Sequence, residues 1–229
     1  KYLYICIMEI SFTEENYLKA IFSLSRLYGD AEVSTNQISE HLNNKAASVT
    51  DMLKRLAEKK FIDYKPYKGV RLTEKGRKTA VKVVRKHRLW EVFLVEKLKF
   101  KWDEVHDIAE QLEHINSDEL IEKLDLFLGR PKHDPHGDPI PDANGKFYAQ
   151  KSIALAEAKV KQVLIVTGVS DHSTQFLQYL SQSGIGLGDH LKVDEVNSYD
   201  QSLKVKVNKN HGLFLSHKVA LNILVEVKS

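Results

Sequence analysis

Cysteine is nearly absent from this chain of 229 residues: Cys6 stands alone, so no intrachain disulfide can form and no thiolate cluster can hold a metal. Only 5 prolines and 11 glycines are present, which excludes a collagenous or low-complexity chain. No apolar run approaches the roughly 20 residues that a membrane-crossing helix needs. The apolar opening Tyr2–Ile7 is too short, and Glu9, Glu14 and Glu15 behind it suit neither a cleavage site nor a stop-transfer flank. Residues 1–7 therefore read as an extension ahead of Met8. The zinc-protease pattern His-Glu-x-x-His and the nucleophile elbow Gly-x-Ser-x-Gly are missing too, which argues against an enzyme. What is present, 42% hydrophobic and 28% charged residues, is the composition of a globular protein with a real core, and a reducing cytoplasm suits it.

The net charge of +3 hides two opposed regions. Residues 45–88 hold 15 Lys and Arg against 4 acids, and residues 101–145 hold 4 against 12. A basic block of that density suits a phosphate backbone, because each cation that neutralises a phosphate releases condensed counterions.

Periodicity shows what carries the charge. Tyr17, Leu18, Ile21, Phe22 and Leu24 recur at helical spacing behind Thr13 and two acids, and this first helix is expected to end near Tyr28-Gly29. Ser34-Thr35 caps a second helix over 36–42, and Asn43-Asn44 turns into a third over 46–60 with Val49, Met52, Leu53 and Leu56 inward. Residues 61–65 and 70–73 alternate as strands around Pro66-Tyr67-Lys68-Gly69. Three helices followed by a basic hairpin make a winged helix-turn-helix.

A long helix is expected over 77–99, another from Trp102 or Asp103 to Ile115, and a third capped by Ser117 and ending at Gly129. Residues 130–145 hold four of the five prolines and read as a linker. Beyond a helix-compatible stretch at 152–158, five β-rich runs (160–166, 191–193, 203–207, 212–215, 223–227) and a helix at 173–181 predict a small barrel. The expected fold is thus mainly α, with a winged helix at 8–76, a helical part at 77–145 and a small C-terminal β-barrel at 158–229.

The acidic block contains a pattern of its own. His106, Glu110, Glu113 and His114 lie at offsets 0, 4, 7 and 8, within an arc of about 100° on one helix. His87 and Glu91 stand at i, i+4 on the helix before it. Nitrogen and oxygen donors without thiolate or thioether suit Mn²⁺, Fe²⁺, Co²⁺ or Zn²⁺. The 12 Å or so of rise between His106 and His114 implies two sites.

With this pattern behind a winged helix, the chain resembles the diphtheria-toxin-repressor family of metal-dependent transcriptional regulators, in particular its manganese-transport-regulator branch. The matching stretches are Thr13–Leu24, Ala47–Thr50, Gly69–Gly76, Arg85–Leu89 with Glu91, Val105–Asp107 through Glu113-His114, and Gly137–Pro141. The resemblance spans residues 11–229 and implies a regulatory metal site at Asn16, Glu110, Glu113 and His114 and an ancillary site at His87, Glu91 and His106. Where iron sensors place a cysteine this chain has Glu110, as manganese sensors do. Its first-helix ligand is the neutral Asn16 where manganese sensors have Asp. The C-terminal part resembles a FeoA-like barrel, whose ligand positions read His172 and Gln175.

The expectation is a homodimeric repressor of metal-uptake genes, activated by Mn²⁺ or Fe²⁺, whose metal ties the first helix to the dimerisation helices and so spaces two readers on a palindromic operator. Ala47, Ser48, Thr50 and Asp51 are expected near base edges, Lys45, Lys54, Arg55, Tyr67, Lys68 and Arg71 on the backbone, and Thr35 elsewhere in the DNA interface. Val92, Phe93, Leu126 and Phe127 are candidates for core or dimer seam. The alternatives are a metal-independent winged-helix regulator sensing an organic effector, and a carboxylate-bridged metal enzyme. The second wants a Glu-x-x-His pair on each of two helices, which neither stripe supplies.

Overall fold

A computed structural model describes residues 10–27, 29, 31–65, 68–148, 151–208 and 211–228. The N-terminal extension, Tyr67 and the end of the first helix at Tyr28 lie outside the described residues. The chain divides into two compact units.

The first unit gathers the chain up to His87 with Leu112–Asn116 and Pro141–Gly145. Helix α1 (Phe12–Leu27) buries Tyr17, Leu18, Ile21, Phe22 and Leu24. Its start is a reciprocal cap: Glu14 N donates to Ser11 Oγ while Ser11 N donates to a Glu14 carboxylate oxygen, so two otherwise orphaned donors are satisfied. Helix α2 (Thr35–His41) opens with the same device on Ser34 and Gln37. Helix α3 (Ala46–Glu58) turns Val49, Leu53 and Leu56 inward, while Met52 is only half-buried. Strands β1 (Ile62–Lys65) and β2 (Gly69–Leu72) pair antiparallel as the wing, and Val33 bridges to Val70.

Helix α4 (Glu74–Glu96) starts and ends about three residues before the expected limits. Gly76 sits in its first turn because a Cβ there would lie 1.9 Å from the Phe61 carbonyl oxygen. Helix α5 is the larger correction, running only from His106 to Leu112. Upstream, Lys101 and Glu104 close a turn on each other, and the Trp102 indole donates to Ser181 Oγ, so tertiary contacts override the local pattern. Downstream, Ile115 N bonds to Leu112 O and tightens the exit into a turn. Glu113 and His114 therefore lie outside the helix, and the single stripe expected over 106–114 does not form.

The second unit gathers Arg88–Gln111, Ser117–Ile140 and the chain from Lys146 onward. Helix α6 (Asp118–Phe127) is capped by Ser117 Oγ, as expected. The stretch read as a linker is packed structure. Asp134 Oδ1 accepts from His136 N and Asp138 N, His133 bridges to Pro139, and Asp134, His136 and Ile140 are buried. Its prolines and glycines shape a compact turn rather than an exposed tether.

The helix-compatible stretch at 152–158 is instead β3 (Ile153–Ala154) and one 3₁₀ turn (Leu155–Glu157). Strands β4 (Val163–Val169), β5 (His190–Val196), β6 (Leu203–Val207), β7 (His211–Leu215) and β8 (Ile223–Val227) join β3 in an antiparallel sheet ordered β3-β8-β4-β5-β6-β7. No pairing closes β3 on β7 among the described residues, so the expected barrel is an open sheet. Leu203, Val205 and Val207 point inward while Lys204 and Lys206 alternate outward. Helix α7 (Thr174–Gln182) adds Leu177 and Leu180 to the same core, and the short α8 (His217–Leu221), which the sequence reading missed, adds Ala220. Each fully buried Leu, Ile or Val contributes about 1.5–3 kcal/mol.

Candidate metal centres and nucleic-acid interface

Among the described residues, each unit contains a cluster of carboxylates and imidazoles. In the first, Glu113 is fully buried in the turn after α5. Its Oε2 meets His87 Nδ1 at 2.5 Å, and Lys19 Nζ on α1 lies 2.8 Å from each of its oxygens. Burial works against the charge of Glu113, but the His87 hydrogen bond and the Lys19 ammonium win and hold its pKa below the ordinary value. His114 Nδ1 lies 2.6 Å from Glu15 Oε2, and His114 Nε2 lies 4.0 Å from Glu113 Oε1. Phe12 stacks on the His114 ring at 4.6 Å.

Glu113 Oε1 in this cluster and Asn16 Oδ1, one residue along α1 from Glu15, are buried oxygens that make no hydrogen bond; the former is ion-paired with Lys19 Nζ at 2.8 Å. A buried polar atom without a hydrogen bond is costly, and Asn16 Oδ1 and Glu113 Oε1 are both oxygen donors. The residues present therefore fit a divalent cation.

The second cluster contains residues that the sequence reading passed over. Glu91, Asp134 and His136 are all buried, with one donor atom of each within 4.8 Å of the others. His136 Nδ1 lies 3.7 Å from Glu91 Oε2, and its Nε2 meets the Trp102 carbonyl at 2.8 Å. Asp134 is pushed up to about 7, first by burial and then by the Asp138 and Glu91 carboxylates, against Arg88. Burial opposes protonation of His136, yet the Glu91 carboxylate beside it carries its pKa up to about 9. Arg88 ties the loop down through Asp138, Asp134 and the Pro139 carbonyl. Two buried carboxylates with one imidazole fit a divalent cation. A local signal existed: His133-Asp134-Pro135-His136-Gly137-Asp138 carries four ionisable groups in six residues, hidden by reading the segment for its prolines.

Of the sites implied by the resemblance, Asn16, Glu113 and His114 fall in the first unit and His87 joins Glu113 there. Glu110 lies in the second unit, half-buried, 3.6 Å from His106 Nε2. His106 Nδ1 is 3.7 Å from Glu91 Oε1. His172 stacks on His136 at 5.0 Å, its Nε2 toward the Val169 carbonyl at 3.2 Å. His172 is exposed by surface area, yet the groups crowding its ring hold its pKa below the ordinary value. Gln175 is exposed.

On α3 and before it, Lys45, Ala47, Ser48, Asp51, Lys54 and Arg55 are exposed, and Thr35 and Thr50 are half-buried. The Thr50 hydroxyl donates to the Ala46 carbonyl, and Lys54 pairs with Asp51 at 3.5 Å. On the wing Lys68 is exposed and Arg71 meets Glu32 at 3.2 Å.

A winged helix, a helical metal-binding segment and a small β domain define the class, and comparison places the chain within it. Residues 9–70 match the iron-dependent-repressor N-terminal DNA-binding domain, residues 73–142 the metal-binding and dimerisation domain of the same family, and residues 153–227 the FeoA domain. A manganese-dependent transcriptional repressor solved in complex with manganese is 34% identical, with a TM-score of 0.82 over 94% of this chain and 100% of that one. An HTH-type transcriptional regulator of Methanocaldococcus jannaschii is 36% identical over 118 residues, 52% of this chain and 94% of that protein. The iron-dependent repressor IdeR of Mycobacterium bovis is 34% identical over 133 residues, 58% of this chain and 57% of that protein. The chain belongs to the iron-dependent-repressor family of metal-dependent, DNA-binding transcriptional regulators. No helix among the described residues is long and apolar enough to cross a membrane.

Proposed function

We propose that this chain is a cytoplasmic, homodimeric repressor of divalent-metal uptake genes, activated by Mn²⁺, with Fe²⁺ as its nearest competitor and no catalytic role. The observation that carries the reading is that Glu113 Oε1, 4.0 Å from His114 Nε2, and Asn16 Oδ1 on α1 are both buried oxygens without a hydrogen bond. These three groups would hold the regulatory ion. Glu91, Asp134 and His136, with His106, His172 and Gln175, would hold a second one, and His87 serves by orienting Glu113. A donor set of carboxylate, amide and imidazole without sulfur favours a hard cation. The bound ion would supply the positive charge that joins donors from separate segments.

What the protein contributes is a tie between α1, through Asn16, and the turn carrying Glu113 and His114. Fixing that tie selects one placement of the winged helix, and in a dimer one separation of two readers. Ala47, Ser48, Thr50 and Asp51 would face base edges, while Lys45, Lys54, Arg55, Tyr67, Lys68 and Arg71 would hold phosphates, with Thr35 elsewhere in the DNA interface. We assign residues 8–76 to DNA binding, 77–145 to metal binding and dimerisation, and 158–229 to the FeoA-like part. Val92 is buried and belongs to the core, whereas Leu126 (55% exposed) and Phe127 (64% exposed) on α6 are the dimer-seam candidates.

Elemental analysis of protein purified without chelator, followed by operator binding at fixed salt with and without Mn²⁺, tests the reading. Affinity should rise at least tenfold with the ion. Equal binding in excess chelator would overturn it, and protein free of metal would favour an organic effector.

A further inference from the structure

Glu15 looks at first like an ordinary helix-start acid, placed where the dipole of α1 favours negative charge. Its side chain is spent elsewhere. Glu15 Oε2 lies 2.6 Å from His114 Nδ1, and both side chains are largely buried. A carboxylate held that close accepts a hydrogen bond, so Nδ1 carries the proton. A neutral imidazole with its proton on Nδ1 has its lone pair on Nε2.

That lone pair is on the nitrogen closer to the metal-ligand candidate Glu113. His114 Nε2 stands 4.0 Å from Glu113 Oε1, too far for a hydrogen bond. Two donors sharing one ion at about 2.0–2.2 Å in tetrahedral geometry stand about 3.4 Å apart, so only a small closure separates this pair from that arrangement. The Phe12 ring, 4.6 Å away and tilted by 18°, lies along the imidazole and resists the flip that would exchange its two nitrogens. Lys86 Nζ, 4.0 Å from Glu15 Oε1, holds the carboxylate from its other side.

We propose that Glu15 is a positioning residue of the first centre: it contributes no ligand atom, and by accepting the Nδ1–H of His114 it commits Nε2 to the cation. The proposal rests on the metal-sensing reading given above. Asn16 is the next residue along, so α1 meets the centre through adjacent positions, one as donor and one as the holder of a donor. Outer carboxylates of this kind fix ring orientation and raise ligand basicity, and their loss costs about 10–100-fold in metal affinity.

The test uses the full chain with ¹⁵N-labelled histidine, in wild-type form and as Glu15→Ala and Glu15→Gln, with thermal melting to verify folding. In metal-free wild type the His114 signals should report the Nδ1–H tautomer. Glu15→Ala should shift them toward Nε2–H and weaken Mn²⁺ binding by 10-fold or more. Glu15→Gln, whose amide oxygen can still accept the proton, should keep the tautomer and recover most of the affinity. The Nδ1–H tautomer persisting in Glu15→Ala with Mn²⁺ affinity within twofold of wild type would overturn the proposal while leaving the metal-sensing reading intact. A wild-type protein that binds no Mn²⁺ would overturn both. Should Glu15→Ala fail to fold, Glu15→Gln losing both tautomer and affinity would overturn it as well.

Discussion

The two clusters solve one electrostatic problem in opposite ways. Around Glu113 the buried carboxylate is matched by a built-in cation, Lys19, and by the His87 hydrogen bond, so it is more acidic than usual despite burial. Around Asp134 and Glu91 two carboxylates face one imidazole and one guanidinium. Asp134 rises to about 7 and His136 to about 9. Carboxylates drawn into a low-dielectric interior must find positive charge or take up protons. Glu113 has countercharge within the chain, whereas Asp134 and Glu91 leave part of theirs to a proton or an added cation.

The sharpest break in this comparison is Glu113→Ala. Removing the carboxylate takes the buried counter-charge from half-buried Lys19 and the 2.5 Å contact from buried His87, so the loss should be about 3 kcal/mol in denaturant unfolding, with the DNA-binding response to Mn²⁺ abolished. His136→Ala should leave that response measurable. If Glu113→Ala unfolds like wild type, the charge balance assigned to the first cluster is wrong.

The pH dependence should carry opposite signs for the two clusters. Glu113, with its pKa lowered on folding, contributes stability that is present above its unfolded value near 4.5 and lost as pH falls through its lower folded value. Asp134 and His136 are raised, so each binds its proton more tightly when folded. Their contribution is present below the unfolded values of 3.8 and 6.5 and is lost as pH rises through about 7 and about 9. Metal-free protein should therefore lose stability steadily between pH 5 and pH 9, and saturating Mn²⁺ should flatten that slope by replacing the protons. A metal-free melting temperature that is level across this range would contradict the contrast.

A smaller effect is expected at the backbone that holds the second cluster. Gly137 has φ +90°, and a Cβ there would lie 2.1 Å from the Thr167 carbonyl oxygen and 2.3 Å from Gly168 Cα. Val169 N donates to the His136 carbonyl, fastening the loop to β4. Gly137→Ala should cost about 2 kcal/mol or more through strain and forced separation. Calorimetry should show the loss while Glu113 and His114 keep their role in Mn²⁺ binding.

Much of the first unit was legible in sequence. The winged helix follows from apolar residues at helical spacing and from a turn-forming segment between two alternating strands, all local signals. The first cluster was legible only in part: Asn16, Glu113 and His114 came through the family resemblance, while Lys19 and Glu15, 94 and 99 residues from their partners, look like ordinary surface charges. The second cluster was hidden for a different reason. Asp134 and His136 sit in a proline-rich turn, and composition reads such a turn as a tether whether or not it packs. The reading of 106–114 as one helical face failed because Glu113 and His114 leave α5 at Leu112.

By itself the sequence determined the elements and the class: hydrophobic period, caps and turn residues act between neighbours, and the basic block is a property of composition. Only the tertiary structure decided which ionisable groups share a buried space, where α5 stops and that residues 130–145 are packed. Burial and charge pairing depend on segments far apart in the chain, and the low dielectric of the interior gives those encounters their chemical weight.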